Sequence, residues 1–332
     1  SGGIVPQAHW GYLANLAFGV TTMHDPSSDS ESAFTNSELL KAGELLGPRL
    51  YSTGTVLYGA EGSFKAIVNS YDDALAHMRR QKAMGAMSVK SYNQPRREQR
   101  QQVLEAAREM GMLVVPEGGS TYHWNMTHVV DGHTGVEHNI PVAPLYADVR
   151  NLWAGTKVGY TPTLIVNYGG LNAELYWFAR TDAWRNERLL RFTPRDEVDE
   201  RARRRETAAE DDYYHVEVSR AAKALHDRGV MVNLGAHGQL QGLGAHWELW
   251  SLGQGGMTAH EALRAATITG ARYLGLDADV GSLKPGKLAD LLVLDRDPLA
   301  DLRNSESIGQ VMINGRLLDA ATLGGAVLPW QR

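Results

Sequence analysis

Apolar residues in this chain follow two alternating patterns, which together predict strands separated by helices. Short apolar or β-branched runs, bounded by glycine, proline or polar residues, occur at seven places: residues 20–24, 49–53, 87–91, 112–116, 135–138, 158–161 and 230–234. Between them lie stretches whose apolar residues recur at helical spacing, the clearest running from Pro95 to Gly111. Strands that alternate with helices are typical of a parallel sheet, so we predict an α/β fold.

Glycines mark the ends of the other helices predicted in the first third of the chain. These helices cover residues 7–18, 35–46 and 72–84, and Gly19, Gly47 and Gly85 follow them. Asp72 is the predicted N-terminal cap of the third helix.

Two segments depart from this rhythm. An insertion at about 165–212 carries a cluster of aromatic residues, predicted to form a lid, and then a mixed charge run typical of a solvated helix. From residue 276 the chain predicts a small β unit, in which Asn314-Gly315 between apolar runs indicates a hairpin. We therefore expect a barrel domain over residues 1–275 and a β unit over residues 276–332.

Composition excludes several classes of protein. The 332 residues are 43% apolar and 21% charged, which is typical of a folded globular chain. A net charge of −5 shows no basic excess, so we expect neither nucleic acid nor membrane as a partner. With no cysteine, disulfides, thiolate metal centres and a cysteine nucleophile are excluded. The chain lacks an apolar run of about 18 residues, so we expect a soluble protein of the cytoplasm or periplasm.

Candidate chemistry gathers where the predicted strands end. In parallel α/β barrels the active site lies at the C-terminal ends of the strands. The polar residues at or near those ends are His24, Asp25, Lys90, Glu117, His123, His133, His138 and His237. Imidazoles, carboxylates and a lysine able to carry a carboxylate can hold a divalent ion, which lowers the pKa of bound water towards about 7. The pattern indicates a site that can bind a divalent metal ion.

Several runs carry a family resemblance: GVTTMHDPS, VEH, TAHEALRAATITGARYLGL, and GSLKPGKLADLLVLDRDPL followed by VMINGR. On these motifs the chain resembles the metal-dependent amidohydrolase superfamily, in its imidazolonepropionase and prolidase-like branch, from about residue 4 to residue 318. The resemblance implies a (β/α)8 TIM barrel with a small β-sandwich, and a metal-bound water that attacks an amide, ester or lactone carbonyl.

The resemblance also implies roles for individual residues. The family's bridging carboxylated lysine matches Lys90, and its strand-six histidine matches His138. The strand-five position, normally histidine, falls on Glu117, and the strand-eight aspartate that normally acts as general base falls near His237. We therefore expect Lys90, Glu117 and His138 to bind a divalent metal, with zinc (Zn²⁺) as the first candidate, and His237 to be catalytic.

The expected substrate contacts are His123 and Tyr92. The family's His-x-His pair on strand one has no counterpart here. We therefore expect the chain to begin after that strand and to lack half of the sandwich. Because the unpaired strand edges of such a chain would seek partners, we also expect a homo-oligomer or association with the missing N-terminal segment.

Each candidate also has a simpler interpretation. Lys90 could form an ion pair with Glu117, and Glu117 could be a solvated turn residue. His138 could be a hydrogen-bonded core histidine, and His237 a loop imidazole bonded to backbone. His24, before Asp25-Pro26, could belong to a turn.

The leading functional hypothesis is hydrolysis of an amide C–N bond in a small cyclic amide or dipeptide, with esters or lactones also accepted. The alternative is a non-catalytic or weakly active barrel that binds a small ligand or a partner, because the His-x-His pair is missing and His237 replaces an aspartate. A serine hydrolase is disfavoured because the chain has no Gly-x-Ser-x-Gly elbow.

Overall fold

The computed structural model describes residues 9–59, 65–119, 121–203 and 205–325. Its strands are β1 (Thr22–Asp25), β2 (Arg49–Ser52), β3 (Val56–Tyr58), β4 (Lys65–Ile67), β5 (Ser88–Ser91), β6 (Leu113–Pro116), β7 (Gly135–Glu137), β8 (Gly159–Thr161), β9 (Leu291–Leu294), β10 (Ile308–Ile313) and β11 (Arg316–Asp319). Its α-helices are α1 (Trp10–Ala17), α2 (Ser30–Ala42), α3 (Tyr71–Ala83), α4 (Arg97–Met110), α5 (Tyr122–Asp131), α6 (Ala147–Ala154), α7 (Ala173–Arg180), α8 (Glu187–Phe192), α9 (Arg195–Ala202), α10 (His215–His226), α11 (Leu243–Gln254), α12 (Ala259–Arg264) and α13 (Gly270–Tyr273).

Parallel pairing puts the C-terminal ends of the strands on one side of the molecule. Strand β1 pairs with β2, β3 pairs with β4 and β5, β5 pairs with β6, and β7 pairs with β8, all in parallel. A single bridge joins Glu117 to Glu137, where the Gly118 N–H donates to the Glu137 carbonyl at 2.7 Å. The residues that follow β5, β6 and β7 are therefore neighbours.

The strand pattern differs from the prediction in two places. Residues 230–234 form no ladder among the described residues: Val232 only bridges to Tyr160. Strands β3 and β4, of three residues each, were not predicted. The prediction of seven strands N-terminal to the small β unit is therefore wrong. In this region the described residues form eight short strands, β1–β8, and the bridge at Val232.

Two helix starts also differ from the prediction. Helix α2 begins at Ser30 rather than residue 35, because the Asp29 side chain accepts the Ser32 N–H and caps it there. Helix α3 is capped by Ser70 rather than Asp72, in a capping box with Asp73. The first two residues of the helix predicted over 7–18 lie outside the described residues.

The insertion supplies core as well as surface. Trp177 and Phe178 are buried, and the Trp177 indole N–H donates to Ser251 Oγ at 2.8 Å. These rings pack against α11, and the expectation of a lid stays a prediction. The charge run does contain a helix, α9.

The chain ends, as far as it is described, in one antiparallel sheet in the order β11-β10-β9. Asn314 and Gly315 have φ values of 50° and 77°, as a two-residue hairpin turn requires, and this prediction is confirmed. Val311 and Leu318 of this sheet pack with Leu13 and Leu16 of α1. A second sheet layer, the upstream strand and the expected associations remain predictions.

None of the helices in the described ranges combines the length and apolar character that crossing a membrane requires.

Candidate active site

Three predicted side chains meet at the strand ends. Glu117 Oε2 lies 2.6 Å from Lys90 Nζ, and Glu117 Oε1 lies 3.1 Å from His138 Nε2. Lys90 and His138 are buried, at 2% and 6% exposed, and the Glu117 side chain is 12% exposed. The structure therefore brings Lys90, Glu117 and His138 into one cluster, with the ion pair that we considered for Lys90.

The strand register explains this meeting. Lys90 lies within β5, opposite Val115 of β6, and Glu117 follows β6 directly. His138 follows β7 with a φ of 67°, and His237 has a φ of 57°. A positive φ is uncommon for a residue with a side chain, and such strain clusters at functional sites. Two of the candidate histidines, His138 and His237, therefore have an uncommon left-handed backbone conformation.

Opposing influences act on the Glu117 carboxyl. Burial alone would raise its pKa, but the hydrogen bond with His138 and the charge of Lys90 outweigh this and lower the pKa to about 2. Glu117 is consequently a carboxylate at neutral pH. The simpler interpretation of a solvated turn residue does not describe its surroundings.

His237 lies beside this cluster. Its ring centroid is 5.0 Å from that of His138, and its Nδ1 lies 2.5 Å from Gln239 Oε1. Burial, followed by the neighbouring His138, lowers the pKa of His237. Because Gln239 Oε1 can only accept, Nδ1 carries the proton and Nε2 keeps a lone pair. The partner is a side chain rather than the backbone that the simpler interpretation proposed.

Tyrosines and a lysine form a wall next to the cluster. The Tyr168 ring lies 5.5 Å from the His138 ring, and the Tyr92 ring lies 6.0 Å from the Tyr58 ring. Lys65 Nζ lies over both of the latter rings, 3.9 Å from the Tyr58 centroid and 4.7 Å from the Tyr92 centroid. Tyr92 directly follows β5, so the wall begins two residues after Lys90.

The remaining candidate histidines are not part of this cluster. His123 is exposed on the first turn of α5, with its ring 5.6 Å from that of Tyr122. His24 Nε2 lies 2.8 Å from Ser88 Oγ, and burial lowers the pKa of His24 to about 4. His133 precedes β7, so it lies at the opposite end of that strand from the cluster, and its expected place beside the site is wrong.

Sequence reasoning missed two residues near the cluster. Glu137 is partly buried, and its Oε1 accepts a hydrogen bond from the Tyr273 hydroxyl at 2.6 Å. Its signal was the VEH run, where only the histidine was considered. Tyr168 precedes Gly169-Gly170 in the insertion, a loop signal that could have placed it at the surface of the site.

The donor set suits a divalent cation. A carboxylate and imidazoles are common ligands of such ions, and neighbouring ligands of a tetrahedral ion with bonds of about 2.1 Å lie roughly 3.4 Å apart. Glu117 Oε1 and His138 Nε2 have a comparable spacing, and His138 Nδ1 is buried without a hydrogen-bond partner among the described residues. Lys90 on the other carboxylate oxygen would supply a third group once its ammonium has lost a proton, so the residues present fit a metal.

The fold and the site together define an α/β protein with a charged, partly buried cluster at the C-terminal ends of parallel strands. The chain belongs to the amidohydrolase family, whose model matches residues 11–318. The resemblance seen in the sequence motifs is thereby confirmed.

Curated relatives match over short segments. A 5-methylthioadenosine/S-adenosylhomocysteine deaminase of Moorella thermoacetica is 38% identical over 74 residues, 19% of this chain and 17% of the relative. An imidazolonepropionase of Picrophilus torridus is 51% identical over 41 residues, 12% of this chain and 10% of the relative. The aligned segments therefore span less than a fifth of either relative.

Structural similarity extends over most of the chain. The crystal structure of a Xaa-Pro dipeptidase with bound methionine in the active site superposes with a TM-score of 0.69 at 20% identity, covering 93% of this chain and 77% of that one. The α/β fold class is confirmed. Closure of an eight-stranded barrel and a complete sandwich stay predictions.

Proposed function

We propose that this chain is a metal-dependent hydrolase that cleaves a C–N bond of a small cyclic amide or dipeptide. The observation that carries the proposal is the Glu117 carboxylate between Lys90 and His138, with His237 beside it, at the strand ends of an amidohydrolase-family chain. The named relatives and the dipeptidase neighbour act on C–N bonds, which supports the reaction class.

Lys90, Glu117 and His138 are the residues that would hold a divalent cation, with zinc as the first candidate. When bound, such an ion polarises a carbonyl group and makes water a stronger nucleophile near neutral pH. Lys90 would contribute through its nitrogen or as a carboxylated side chain. Either way the ammonium must lose a proton, and the ion pair with Glu117 must be replaced.

His237 is the proposed general base. Its lowered pKa keeps the imidazole neutral at pH 7, and the bond from Nδ1 to Gln239 leaves the Nε2 lone pair available. A base in this state can take a proton from the attacking water at Nε2 and return it to the leaving nitrogen. Gln239 fixes the tautomer on which this transfer depends.

Substrate contacts are proposed for Tyr92 and for His123, as the sequence suggested. The wall of Tyr58, Tyr92 and Lys65 would suit an uncharged ring or a flexible chain that ends in a carboxylate. His237 is exposed while Lys90 and His138 are buried, so the site opens to solvent on the His237 side.

The test is metal-dependent turnover. The chelator-treated protein, reloaded with zinc, cobalt or manganese, is assayed by chromatography against Xaa-Pro dipeptides and five-membered cyclic amides. We expect hydrolysis that requires the metal, and a loss of about 10²–10⁴-fold in kcat for His237→Asn with metal content unchanged. His77→Asn, on α3 and outside the cluster, is the matched control and should keep its activity.

One observation favours the alternative of a non-catalytic barrel: Lys90 and His138 already neutralise and bond Glu117 without any ion. If no metal restores turnover on any substrate of the panel, the alternative is supported. Metal-dependent turnover that His237→Asn does not reduce would support the hydrolase and contradict only the assignment of His237 as the general base.

A further inference from the structure

A second group of potential metal ligands lies where α10 ends and α12 begins. His226 is the last residue of α10, Asp227 follows it, and Glu261 is in the first turn of α12. His226 Nδ1 lies 3.7 Å from Asp227 Oδ1 and 3.9 Å from Glu261 Oε1. All three donor atoms lie within 4.8 Å of one another, the one such group among the described residues.

Two of the donor atoms, His226 Nδ1 and Glu261 Oε1, are available to bind an ion. His226 Nδ1 is buried and has no hydrogen-bond partner among the described residues. Glu261 uses Oε2 to accept the Thr258 N–H at 2.8 Å, in the capping box of α12, so Oε1 is the oxygen that faces His226. The capping box therefore holds Glu261 in the orientation that a ligand needs.

The spacing is close to that of a coordinated ion. Ligands of a tetrahedral zinc ion, with bonds of about 2.0–2.2 Å, are separated by roughly 3.3–3.6 Å. The two distances from His226, 3.7 and 3.9 Å, exceed this range by a few tenths of an ångström, and the Asp227 and Glu261 oxygens lie within 4.8 Å of each other. One imidazole and two carboxylates form a three-ligand set that leaves a position for water.

Lys223 competes for this place. Its Nζ forms an ion pair with Asp227 and lies 3.7 Å from Glu261 Oε1. The ammonium shows that the position favours a cation, as expected at the C-terminus of α10, where the helix dipole is negative. The Lys223 side chain is 22% exposed, so it can swing into solvent when a divalent ion takes its place.

We propose that His226, Asp227 and Glu261 form a second divalent metal site, for zinc or a similar transition metal, which links α10 to α12. The site is separate from the cluster at Glu117 and shares no residue with it. Because the ion would connect two helices, its binding would stabilise the folded chain.

The experiment uses zinc as the probe and counts sites. Zinc titration calorimetry and thermal unfolding are run on chelator-treated wild type, His226→Ala, Glu261→Gln, Lys223→Met and, as the control at the other cluster, His138→Ala. The side-chain amide introduced by Glu261→Gln keeps a capping oxygen, so this variant preserves α12 while removing the charged ligand. All of these variants except the control lie away from Glu117.

We expect His226→Ala and Glu261→Gln each to bind one zinc equivalent fewer than wild type. Each should also lose the part of the zinc-induced rise in Tm that comes from this second site, which is the part that His138→Ala keeps. Lys223→Met should bind that equivalent at least about twofold more tightly, because the competing ion pair is gone. The proposal is overturned if His226→Ala and Glu261→Gln bind as many equivalents as wild type. It is also overturned if Lys223→Met weakens zinc binding, since Lys223 would then be part of the site rather than its competitor.

Discussion

Glu117 is bonded to Lys90 and His138 at the same time, and this makes it the residue on which the metal-free site depends. Glu117→Gln leaves the Lys90 ammonium buried without the carboxylate with which it is paired. Breaking a buried ion pair from one side costs about 3–5 kcal/mol, and we expect a loss of unfolding free energy of this order. The measurement is urea unfolding of chelator-treated protein at pH 7.

The matched control for this prediction is the double variant Lys90→Met/Glu117→Gln. With both charges gone, the desolvation cost also disappears, so the double variant should recover most of the lost stability. If Glu117→Gln and the double variant are equally destabilised, Lys90 is not the partner that the single change exposes.

At the residue scale the sequence predicted the meeting of Lys90, Glu117 and His138, because ends of adjacent parallel strands are neighbours. It could not predict the contacts of Tyr168 and Glu137. Tyr168 reaches His138 from the insertion, whose path no local pattern encodes. Glu137 depends on Tyr273, 136 positions further along the chain. Contacts of this range are decided by tertiary packing.

At the element scale, α11 holds the segment after β8 through one buried carboxyl group. Glu248 accepts the N–H groups of Leu164 and Ile165, both at 2.9 Å, and it is fully buried. Burial raises the pKa of Glu248 to about 8, and these two bonds offset only part of the effect. The folded protein therefore keeps a proton on Glu248 at pH values where the unfolded chain has released it.

The sign of the pH dependence follows from this difference. Between the unfolded pKa of about 4.3 and the folded value of about 8, the folded state binds more protons, so stability falls as pH rises. The glutamine side chain in Glu248→Gln does not titrate. Its amide oxygen can accept one of the two N–H groups, but its amide nitrogen cannot accept the other. We expect the variant to be less stable than wild type at about pH 5.5, and the gap to shrink or reverse by about pH 8.5, a swing on the order of a few kcal/mol.

Urea unfolding of both proteins at these two pH values measures the swing. A gap of the same size at both would contradict a raised pKa for Glu248, whatever the absolute stabilities. Glu261→Gln, a carboxyl of the exposed α12 capping box, serves as the control in which no such reversal is expected.

Helices were easier to predict than strands. The presence of a helix was easier to predict than the residues at which it begins and ends. Helix α4 follows its apolar spacing and ends at Gly111, as predicted. Helix α2 starts earlier because one aspartate, Asp29, satisfies its first N–H groups, a local bond that apolar spacing does not reveal. Residues 230–234 looked like a strand, yet only Val232 bridges, because a ladder depends on how the neighbouring strand is placed.

At the scale of the whole molecule, the sheet β9–β11 and the preceding α/β body pack as one unit. One close contact is at Gly19, which has a φ of 81° and follows α1. A Cβ added there would lie 2.7 Å from Leu292 Cδ1 and 2.8 Å from Ile308 Cδ1. Glycine is therefore favoured at this position for two reasons. The backbone has a positive φ, and the sheet leaves no room for a Cβ atom.

The last prediction separates these two requirements. Gly43 has a similar φ of 77°, but an added Cβ there would meet nothing within 4 Å, so Gly43→Ala reports the backbone cost alone, about 1 kcal/mol. Gly19→Ala carries this cost and also forces Leu292 and Ile308 apart, which adds about 1–3 kcal/mol. Leu292→Ala in the Gly19→Ala background should remove part of the excess, because it deletes the nearest clashing atoms. Unfolding free energies from urea titration, with fluorescence and circular dichroism falling together, measure the three variants. If Gly19→Ala costs no more than Gly43→Ala, the sheet does not press on the body at Gly19.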